Sequence, residues 1–194
     1  EEANNLKKAA ETCGGTSLEV NLLADDAVAK ILEAAGDEGF DIVVNNAGIT
    51  RDKKLANMKQ DAWDTTININ LGVVEEICSA LIKKGLNDGG RIVCLSSIAG
   101  IAGNTGQTNY ASAKSGVIGL IESLAPIAAK KNITVNAIAP GFIETRMTSS
   151  IPMAIREVAR RFNSLSQGGK PSDIAEATLL FANSGSFGLT GCTL

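Results

Sequence analysis

The side chains best suited to chemistry are a phenol and an amine one helical turn apart, Tyr110 and Lys114. The i, i+4 spacing places both on one face of a helix. Because a free phenol has a pKa of about 10, we expect the neighbouring ammonium to lower that pKa by favouring the charged form. Such a pair can protonate a developing alkoxide or take a proton from an alcohol. The competing interpretation is a half-buried tyrosine beside a solvated lysine, which the pair alone does not exclude.

Three short apolar runs surround this helix in the sequence, and each is followed by small or polar residues. They are too short to be isolated helices and indicate buried strands. Carboxyl ends of strands in open α/β sheets present ligand-binding groups, although serines there also serve as turn or cap residues. The runs and the residues that follow them are 41–44 with Asn45, Asn46, Ala47 and Gly48, 91–95 with Ser96 and Ser97, and 133–139 with Pro140 and Gly141.

The order of apolar patterns along the chain alternates between strands and helices. Strands are predicted at 17–21, 41–45, 91–95 and 133–139. Helices are predicted up to residue 13 and at 25–35, near 55, 61–84, around 110–130, 152–162 and 172–182. This alternation predicts an α/β fold, a doubly wound parallel sheet with helices on both faces. It fits a single domain over residues 1–194.

Composition narrows the function classes. A net charge of −3 and a pI near 5.1 argue against nucleic acid as the main partner. No apolar stretch looks long enough to cross a bilayer. The chain has no histidine, which excludes Ser-His-Asp hydrolysis and argues against a metal site. The four cysteines, Cys13, Cys78, Cys94 and Cys192, show no paired spacing and are interpreted as reduced thiols of a cytoplasmic protein.

The chain resembles the short-chain dehydrogenase/reductase family. The resemblance rests on Asn45-Asn46-Ala47-Gly48, on Asn70, on a serine before Tyr-x-x-x-Lys, and on Pro140-Gly141. The spacing to Tyr110 makes Ser97, not Ser96, the match to the family's catalytic serine. Within the family, segments 46–52, 106–110 and 139–145 are most similar to β-ketoacyl-acyl-carrier-protein reductases. Segment 96–103 resembles the long, two-domain members of that group.

This resemblance implies a catalytic set of four residues. Ser97 would hydrogen-bond the substrate carbonyl and steady its growing charge. Tyr110 would donate the proton, and Lys114 would tune the phenol and hold the nicotinamide ribose. Asn70, in the middle of the predicted long helix, would disturb that helix and hold a water on the proton path. Its neighbour Asn68 is interpreted as facing outward.

The resemblance also implies a nicotinamide cofactor, NADPH or NADH. Asn21 would lie near the adenine, and the turn after the second predicted strand would line the adenosine ribose. Residues after the last predicted strand would contact the nicotinamide and the phosphates. The complete implied set is Asn21, Asn46, Ala47, Gly48, Tyr110, Lys114, Pro140, Gly141, Ile143 and Thr145.

One expected motif is absent from the sequence. The family binds the pyrophosphate with a glycine-rich turn at a helix N-terminus, and no Gly-x-x-x-Gly-x-Gly occurs here. Residues 1–13 instead have a helical pattern, and residues 191–194 have the character of a strand. We therefore expect this sequence to be a fragment that lacks the first βαβ portion and the C-terminal tail.

Residues 145–168 are interpreted as a substrate lid. Their apolar residues suit an acyl chain, although ordinary core packing would give the same stripe. The thioester substrate would be carried by acyl-carrier protein or by coenzyme A. The pairs Lys83-Lys84 and Lys130-Lys131 can meet a carrier protein, but such exposed pairs are more often simply solvated. The apolar lid residues are Met147, Ile151, Met153, Ile155, Val158 and Phe162.

Two predicted helices carry more apolar residues than one sheet face is expected to cover, and relatives pair these helices across a two-fold axis. We therefore expect a homodimer or homotetramer. The function implied is NAD(P)H-dependent reduction of a β-ketoacyl thioester in fatty acid synthesis. Two alternatives stay open: an oxidoreductase for a sugar, polyol or steroid, and a non-catalytic scaffold subunit. The apolar helix residues are Val73, Val74, Ile77, Leu81, Val117, Ile118, Leu120, Ile121 and Leu124.

Overall fold

A three-stranded parallel sheet forms the centre of the computed structural model, which describes residues 2–149 and 151–194. The strands are β1 (Phe40–Asn45), β2 (Leu86–Leu95) and β3 (Thr134–Ile138), in the spatial order β1-β2-β3. Every residue of β3 is buried. Near-continuous apolar runs of this kind are expected where helices cover both faces of a parallel sheet.

The helices lie between and after the strands. Short 3₁₀ turns occur at Leu55–Asn57, Ala129–Lys131 and Ser184–Ser186. The α-helices are α1 (Glu2–Cys13), α2 (Ala27–Ala35), α3 (Gln60–Ile67), α4 (Val73–Lys83), α5 (Ile98–Ala102), α6 (Thr108–Ala128), α7 (Arg146–Ser149), α8 (Met153–Arg161) and α9 (Pro171–Ala182).

Helices pack on both faces of the sheet. The larger apolar cluster joins α2, α4 and α6 to one face through residues such as Leu81, Ile92 and Ile121. On the other face, Phe181 of α9 packs against Val93 and Ile138. The predicted doubly wound α/β architecture is therefore confirmed.

The strand predicted at 17–21 is wrong. This segment is irregular and ends in a turn, in which the Ala24 amide donates to the Asn21 carbonyl. A strand needs a neighbour to accept its backbone hydrogen bonds, and among the described strands β1 pairs only with β2. The free edge of β1 leaves Ile42 and Val44 nearly half exposed.

The predicted long helix is continuous from Gln60 to Lys83 but changes its winding midway. Residues Asn68–Gly72 form a π-helical segment between α3 and α4. Asn68 is exposed, as predicted, whereas Asn70 is fully buried. Irregular single turns of this kind often occur at functional sites.

The same helical stretch corrects the expectation that no segment could cross a bilayer. By length and composition alone Gln60–Lys83 meets that criterion, with 44% of its most apolar window buried inside the fold. Its apolarity has a structural origin, because Cys78 and Leu81 belong to the main core cluster. Core helices commonly satisfy the same criterion.

The apolar surplus expected on α4 and α6 is not found, and the oligomer itself stays a prediction. Most of the residues in question are buried within this chain against the sheet, so they need no partner. Only Ile118 and Leu120 remain partly exposed. Those buried in the chain itself are Val73, Val74, Ile77, Leu81, Val117, Ile121 and Leu124.

Residues 192–194 lie beside β3, as their strand-like sequence predicted. The Ala137 amide donates to the Cys192 carbonyl at 2.9 Å, and the Leu194 amide donates to the Ala137 carbonyl at 3.0 Å. Thr193 forms an isolated parallel bridge with Ala137. The segment therefore continues the sheet beyond β3.

A glycine sets the distance between α5 and α6. A Cβ atom at Gly100 would lie 2.6 Å from the Lys114 carbonyl carbon and 2.7 Å from the Ser115 nitrogen. Both are backbone atoms, which cannot rotate away. The close approach brings the end of β2 against the helix that carries Tyr110 and Lys114.

We predict that Gly100→Ala lowers the free energy of unfolding by about 1–3 kcal/mol, because an added methyl forces the two helices apart. The matched control is Gly119→Ala in α6, where an added Cβ meets nothing within 4 Å. That change should be neutral or stabilise by up to about 1 kcal/mol. Chemical denaturation measures both, and equal effects of the two substitutions would contradict the tight α5–α6 contact.

Candidate active site

Tyr110 and Lys114 share one face of α6, as their spacing predicted. The Lys114 Nζ lies 5.7 Å from the centroid of the Tyr110 ring. Tyr110 is half-buried, and Lys114 is 4% exposed. The alternative of a solvated lysine is therefore wrong.

Lys114 reaches from α6 to the carboxyl end of β2. Its Nζ donates a hydrogen bond to the Leu95 carbonyl at 2.6 Å. Burial lowers the pKa of this amine from 10.5 to about 8, and the neighbouring Cys94 opposes part of the shift. At pH 7 the amine is still mainly charged, and it is a far better proton exchanger than an exposed lysine.

The expected lowering of the phenol pKa is wrong. The pKa of Tyr110 is raised above 10, chiefly because burial disfavours the phenolate. The nearby Ser97 hydroxyl opposes this rise in pKa, and the Asp52 carboxylate adds to it. Burial is the largest influence on the phenol pKa, and the Lys114 amine does not offset it. The amine hydrogen-bonds the Leu95 carbonyl instead.

The two serines after β2 have different environments. Ser96 is buried, and its hydroxyl donates to the Lys114 carbonyl at 2.7 Å, so it fastens α6 to the strand end. Ser97 is partly exposed, caps α5 by accepting from the Ala99 amide at 3.1 Å, and lies close enough to the phenol to lower the pKa of Tyr110. Ser97 is therefore the serine that stands beside the phenol.

Asn70 is fully buried in the π-helical segment. Its amide nitrogen donates to the Ile49 carbonyl at 2.9 Å and the Thr66 carbonyl at 2.8 Å. Its oxygen accepts from the Ile49 amide at 3.2 Å. The side chain thus fixes the loop that follows β1, while its link to a water stays a prediction.

The turn after β1 comes close to both Asn70 and Lys114. A Cβ at Gly48 would lie 2.6 Å from the Asn70 Oδ1 and 3.7 Å from the Lys114 Nζ, so no larger residue fits there without rearrangement. Asn46 and Ala47 precede it and are exposed. This exposed turn is placed beside the amine, where a ligand can reach both.

The segment after β3 closes the other side of the site. The Ile98 amide, at the start of α5, donates to the Pro140 carbonyl at 2.9 Å. Gly141 is exposed, and a Cβ there would meet nothing within 4 Å. Ile143 bridges to Gly169. The predicted nicotinamide-side residues thus flank the strand end that carries Ser97.

Thr145 and Asn21 have local partners of their own. The Thr145 amide donates to the Thr148 hydroxyl at 2.9 Å, and that hydroxyl donates to the Ile143 carbonyl at 2.7 Å. Asn21 is exposed and accepts from the Leu23 amide at 3.1 Å. Asn21 has no described contact with the Tyr110 group, so its predicted place near an adenine stays a prediction.

The residues present fit part of a nicotinamide nucleotide. The one described hydrogen bond of the Lys114 ammonium uses one of its three protons, so two protons can be donated to vicinal hydroxyls of a ribose. The open backbone at Gly141 leaves room for a flat ring. No glycine-rich phosphate turn occurs in the sequence. Within the described residues there is no cluster of metal-binding side chains.

Sequence reasoning missed a polar contact beneath the site. The Asn45 amide donates to the Cys78 sulfur at 3.3 Å and to the Cys94 sulfur at 3.4 Å, and the two sulfurs lie 3.9 Å apart. All four cysteines are free thiols, as predicted. The contact joins α4 to β2. The one sign of it in the sequence motif was Asn45, a polar residue directly after an apolar run.

Four apolar residues of the predicted lid are exposed, Met153, Ile155, Val158 and Phe162, and Ile151 is partly exposed. In α8, Met153 is 78% exposed, and Phe162 just after the helix is 87% exposed, so core packing does not account for this stripe. Glu144 accepts from Arg156 at 2.7 Å and from Arg160 at 2.6 Å, which fastens α8 to the segment after β3. The side chain of Met147 and the whole of Ser150 lie outside the described residues.

Comparison with known proteins gives a match over the whole chain. A family profile described as Enoyl-(Acyl carrier protein) reductase matches residues 1–194. The 3-oxoacyl-(acyl-carrier-protein) reductase FabG of Chlamydia trachomatis is 44% identical over 156 residues, which is 80% of this chain and 63% of that protein. The FabG of Thermotoga maritima is 44% identical over 167 residues, 86% of this chain and 67% of that protein.

A third relative covers almost the entire chain. The FabG of Pseudomonas aeruginosa is 39% identical over 201 aligned residues, 99% of this chain and 81% of that protein. The match to the Chlamydia protein spans slightly less than two thirds of its length. The relatives therefore contain residues beyond those that align here.

The buried amine predicts a specific pH dependence of stability. Because the Lys114 pKa falls from 10.5 to about 8 on folding, the unfolded state binds the extra proton between these values. Stability should therefore rise with pH in this window. Relative to Lys114→Met, the wild-type free energy of unfolding should gain about 2 kcal/mol from pH 7.5 to pH 10.

Urea denaturation at both pH values measures this difference, with the exposed Lys130→Met as the matched control. The control should keep the wild-type rise. Parallel pH profiles for wild type and Lys114→Met would contradict the lowered amine pKa.

Proposed function

We infer that this chain, which belongs to the short-chain dehydrogenase/reductase family, reduces a β-ketoacyl thioester to the β-hydroxyacyl thioester. The observation that carries the proposal is the convergence of Ser97, Tyr110, Lys114 and Asn70 at the carboxyl ends of β1 and β2. The names of the relatives, 3-oxoacyl-(acyl-carrier-protein) reductases, support this substrate class. The reaction would belong to fatty acid synthesis in the cytoplasm.

Ser97 and Tyr110 would act on the ketone oxygen. The Ser97 hydroxyl is close enough to the phenol to influence its pKa, so one oxygen atom of a substrate would be able to contact both. Ser97 donates to that oxygen and stabilises its growing charge. Tyr110 transfers its proton to the same oxygen. A phenol whose pKa is raised stays protonated, which is the state an acid requires.

Lys114 and the surrounding backbone would hold the cofactor. A bound NADPH or NADH supplies a hydride to the ketone carbon. Lys114 would donate to the ribose hydroxyls and keep a positive charge near the phenolate that forms at Tyr110. Asn46, Ala47 and Gly48 would line the adenosine ribose, while Pro140, Gly141, Ile143 and Thr145 would face the nicotinamide and phosphates.

Asn21 is proposed near the adenine, because an amide can hydrogen-bond the adenine amino group. Asn70 is proposed to orient the loop after β1 and to complete the proton path from Lys114. The π-helical segment around Asn70 supports this role, since it departs from regular α-helical hydrogen bonding.

The segment 145–168 is proposed to cover the acyl chain. Its exposed apolar residues would become buried when the thioester binds. Glu144 and its two arginine partners would hold α8 in place at the edge of the site. The acyl group would be carried as a thioester of acyl-carrier protein, and coenzyme A is the alternative carrier.

Assembly into a homodimer or homotetramer is proposed from family membership. Exposed apolar residues support it, among them Leu179, Phe187 and Leu194, which are 60%, 52% and 60% exposed. Light scattering of the full-length protein would measure the mass of the assembly.

Two other functions are the alternatives: reduction of a different substrate, and a non-catalytic role. A reductase for a sugar, polyol or steroid would use the same four residues, so only assays distinguish it. A non-catalytic scaffold is disfavoured, because a scaffold has no need for a buried lysine beside a phenol. The profile description also names enoyl substrates, in which a carbon–carbon double bond is reduced.

We predict that the full-length protein oxidises NADPH or NADH in the presence of acetoacetyl thioesters, measured by the loss of cofactor absorbance. Acetoacetyl-CoA and acetoacetyl-acyl-carrier protein distinguish the carriers. Crotonoyl thioesters and a panel of sugars and steroids are the competing substrates. No turnover with any β-ketoacyl thioester would eliminate the proposal.

We predict that Tyr110→Phe lowers turnover by about 100- to 10,000-fold, the range for loss of a general acid. The fold should persist, because only one half-buried hydroxyl is removed. The matched control is Ser112→Ala, an exposed α6 residue between Tyr110 and Lys114, which should keep full turnover. Near-normal activity of Tyr110→Phe would refute the assigned acid.

A further inference from the structure

Asn109 stands immediately before Tyr110 and is completely buried. Its amide nitrogen lies 3.1 Å from the Arg51 carbonyl, 3.2 Å from the Ala62 carbonyl and 3.0 Å from the Thr66 hydroxyl. Its oxygen accepts from the Tyr110 backbone amide at 2.9 Å. One short side chain thus connects the first turn of α6 with α3 and with the loop after β1.

Thr66 extends this connection to Asn70. The Thr66 hydroxyl donates to the Ala62 carbonyl at 2.7 Å and lies within hydrogen-bonding distance of Asn109. The Thr66 carbonyl accepts from Asn70 at 2.8 Å. Thr66, Asn70 and Asn109 are all fully buried. The Asn70 side chain is therefore linked to the Tyr110 backbone amide through buried Thr66 and Asn109.

The loop held by Asn109 carries the acid that influences the phenol. Asp52 raises the Tyr110 pKa and accepts from the Gln107 amide at 2.8 Å. The Lys53 amide donates to the Gly106 carbonyl at 2.8 Å. The loop is thus fastened to the start of α6 at Arg51, Asp52 and Lys53, and the contact at Arg51 comes from the buried side chain of Asn109.

We propose that Asn109 is a positioning residue, which fixes the phenol of Tyr110 relative to Asn70 and to the loop at 51–53. This inference rests on the proposed function, because it assigns a consequence for turnover. This position requires hydrogen-bond donors for the Arg51 and Ala62 carbonyls and an acceptor for the Tyr110 amide. A short side-chain amide supplies both. Aspartate would lack the donors, and alanine would leave the Arg51 and Ala62 carbonyls without this partner.

Asn136 provides a matched control for loss of a buried amide. It is also completely buried, donates to the Leu189 carbonyl at 2.8 Å and accepts from the Cys192 amide at 3.1 Å. It lies in β3 and contacts none of the four proposed reacting residues through these bonds. Asn136→Ala should therefore destabilise the fold as Asn109→Ala does, without misplacing the phenol.

The first test compares turnover in the full-length protein. Asn109→Ala should lower kcat by about 10- to 100-fold, because a small misplacement of a reacting group is costly. The Kd for NADPH should stay within about threefold of wild type, since Lys114 and its bond to Leu95 are untouched. Asn136→Ala should keep kcat within about threefold at a temperature where it is fully folded. Equal kcat losses in both variants would overturn the proposal.

A double-mutant cycle tests whether Asn109 acts through the phenol. In a Tyr110→Phe background, Asn109→Ala should lower the residual kcat by less than about threefold, because residues that act as a unit are non-additive. A full additive loss would mean general structural damage and would overturn the proposal.

A third readout does not depend on the substrate. Tyr110 is the only tyrosine of this chain, so ¹³Cζ labelling of tyrosine gives its phenol a signal that Tyr110→Phe identifies by removing it. Asn109→Ala should move the phenol pKa from its raised value towards about 10, since a displaced ring loses burial and moves away from Asp52. Asn136→Ala should leave it unchanged.

If the wild-type protein reduced no β-ketoacyl thioester, the proposed function would fail, yet this titration would still test the positioning. An unchanged phenol pKa in Asn109→Ala would overturn the positioning role even in an active enzyme.

Discussion

The hydrogen bond from Lys114 to the Leu95 carbonyl is the contact on which the site depends. Its counterpart runs in the opposite direction, from the Ser96 hydroxyl to the Lys114 carbonyl at 2.7 Å. Together they fix α6 to the carboxyl end of β2. The close contact at Gly100 packs α5 tightly against the same part of α6. Burying a cation costs free energy, and the lowered pKa of Lys114 reflects that cost. A sequence selected only for stability would place an apolar residue here.

Buried polar side chains extend outward from this contact. Asn70, Thr66 and Asn109 have no exposure to solvent, and each has at least two hydrogen-bonding partners. Unsatisfied groups in such surroundings would be expensive, whereas a satisfied network is rigid. The π-helical turn at Asn70 belongs to the same network, because it brings that side chain to the Ile49 backbone. Rigidity here serves placement of the phenol rather than stability of the core.

Sequence patterns correctly predicted the helices and strands whose apolar faces pack against other parts of this chain. The three observed strands and the Tyr110 helix follow directly from apolar runs and the i, i+4 spacing. Segment 17–21 failed because a strand pattern needs a neighbour to pair with, which no residue within that segment reveals. The apolar residues around Leu81 and Ile121 were expected to exceed what one chain buries, because composition does not show how much helix surface a sheet covers. Asn109 was missed because three of its four partners lie more than 40 positions away in sequence.

The raised pKa of Tyr110 has a consequence for its proposed role as an acid. A phenol that resists ionisation is fully protonated before the ketone binds, so the acid is ready in every molecule. In the proposed reaction the charge that grows on a ketone oxygen would be stabilised by Ser97 and by the cationic Lys114, which would favour proton transfer. Proton transfer leaves a phenolate in the same buried setting, where burial disfavours the charge. The proposed role of Lys114 would offset this cost, because a cation beside the ring would stabilise the phenolate as it forms.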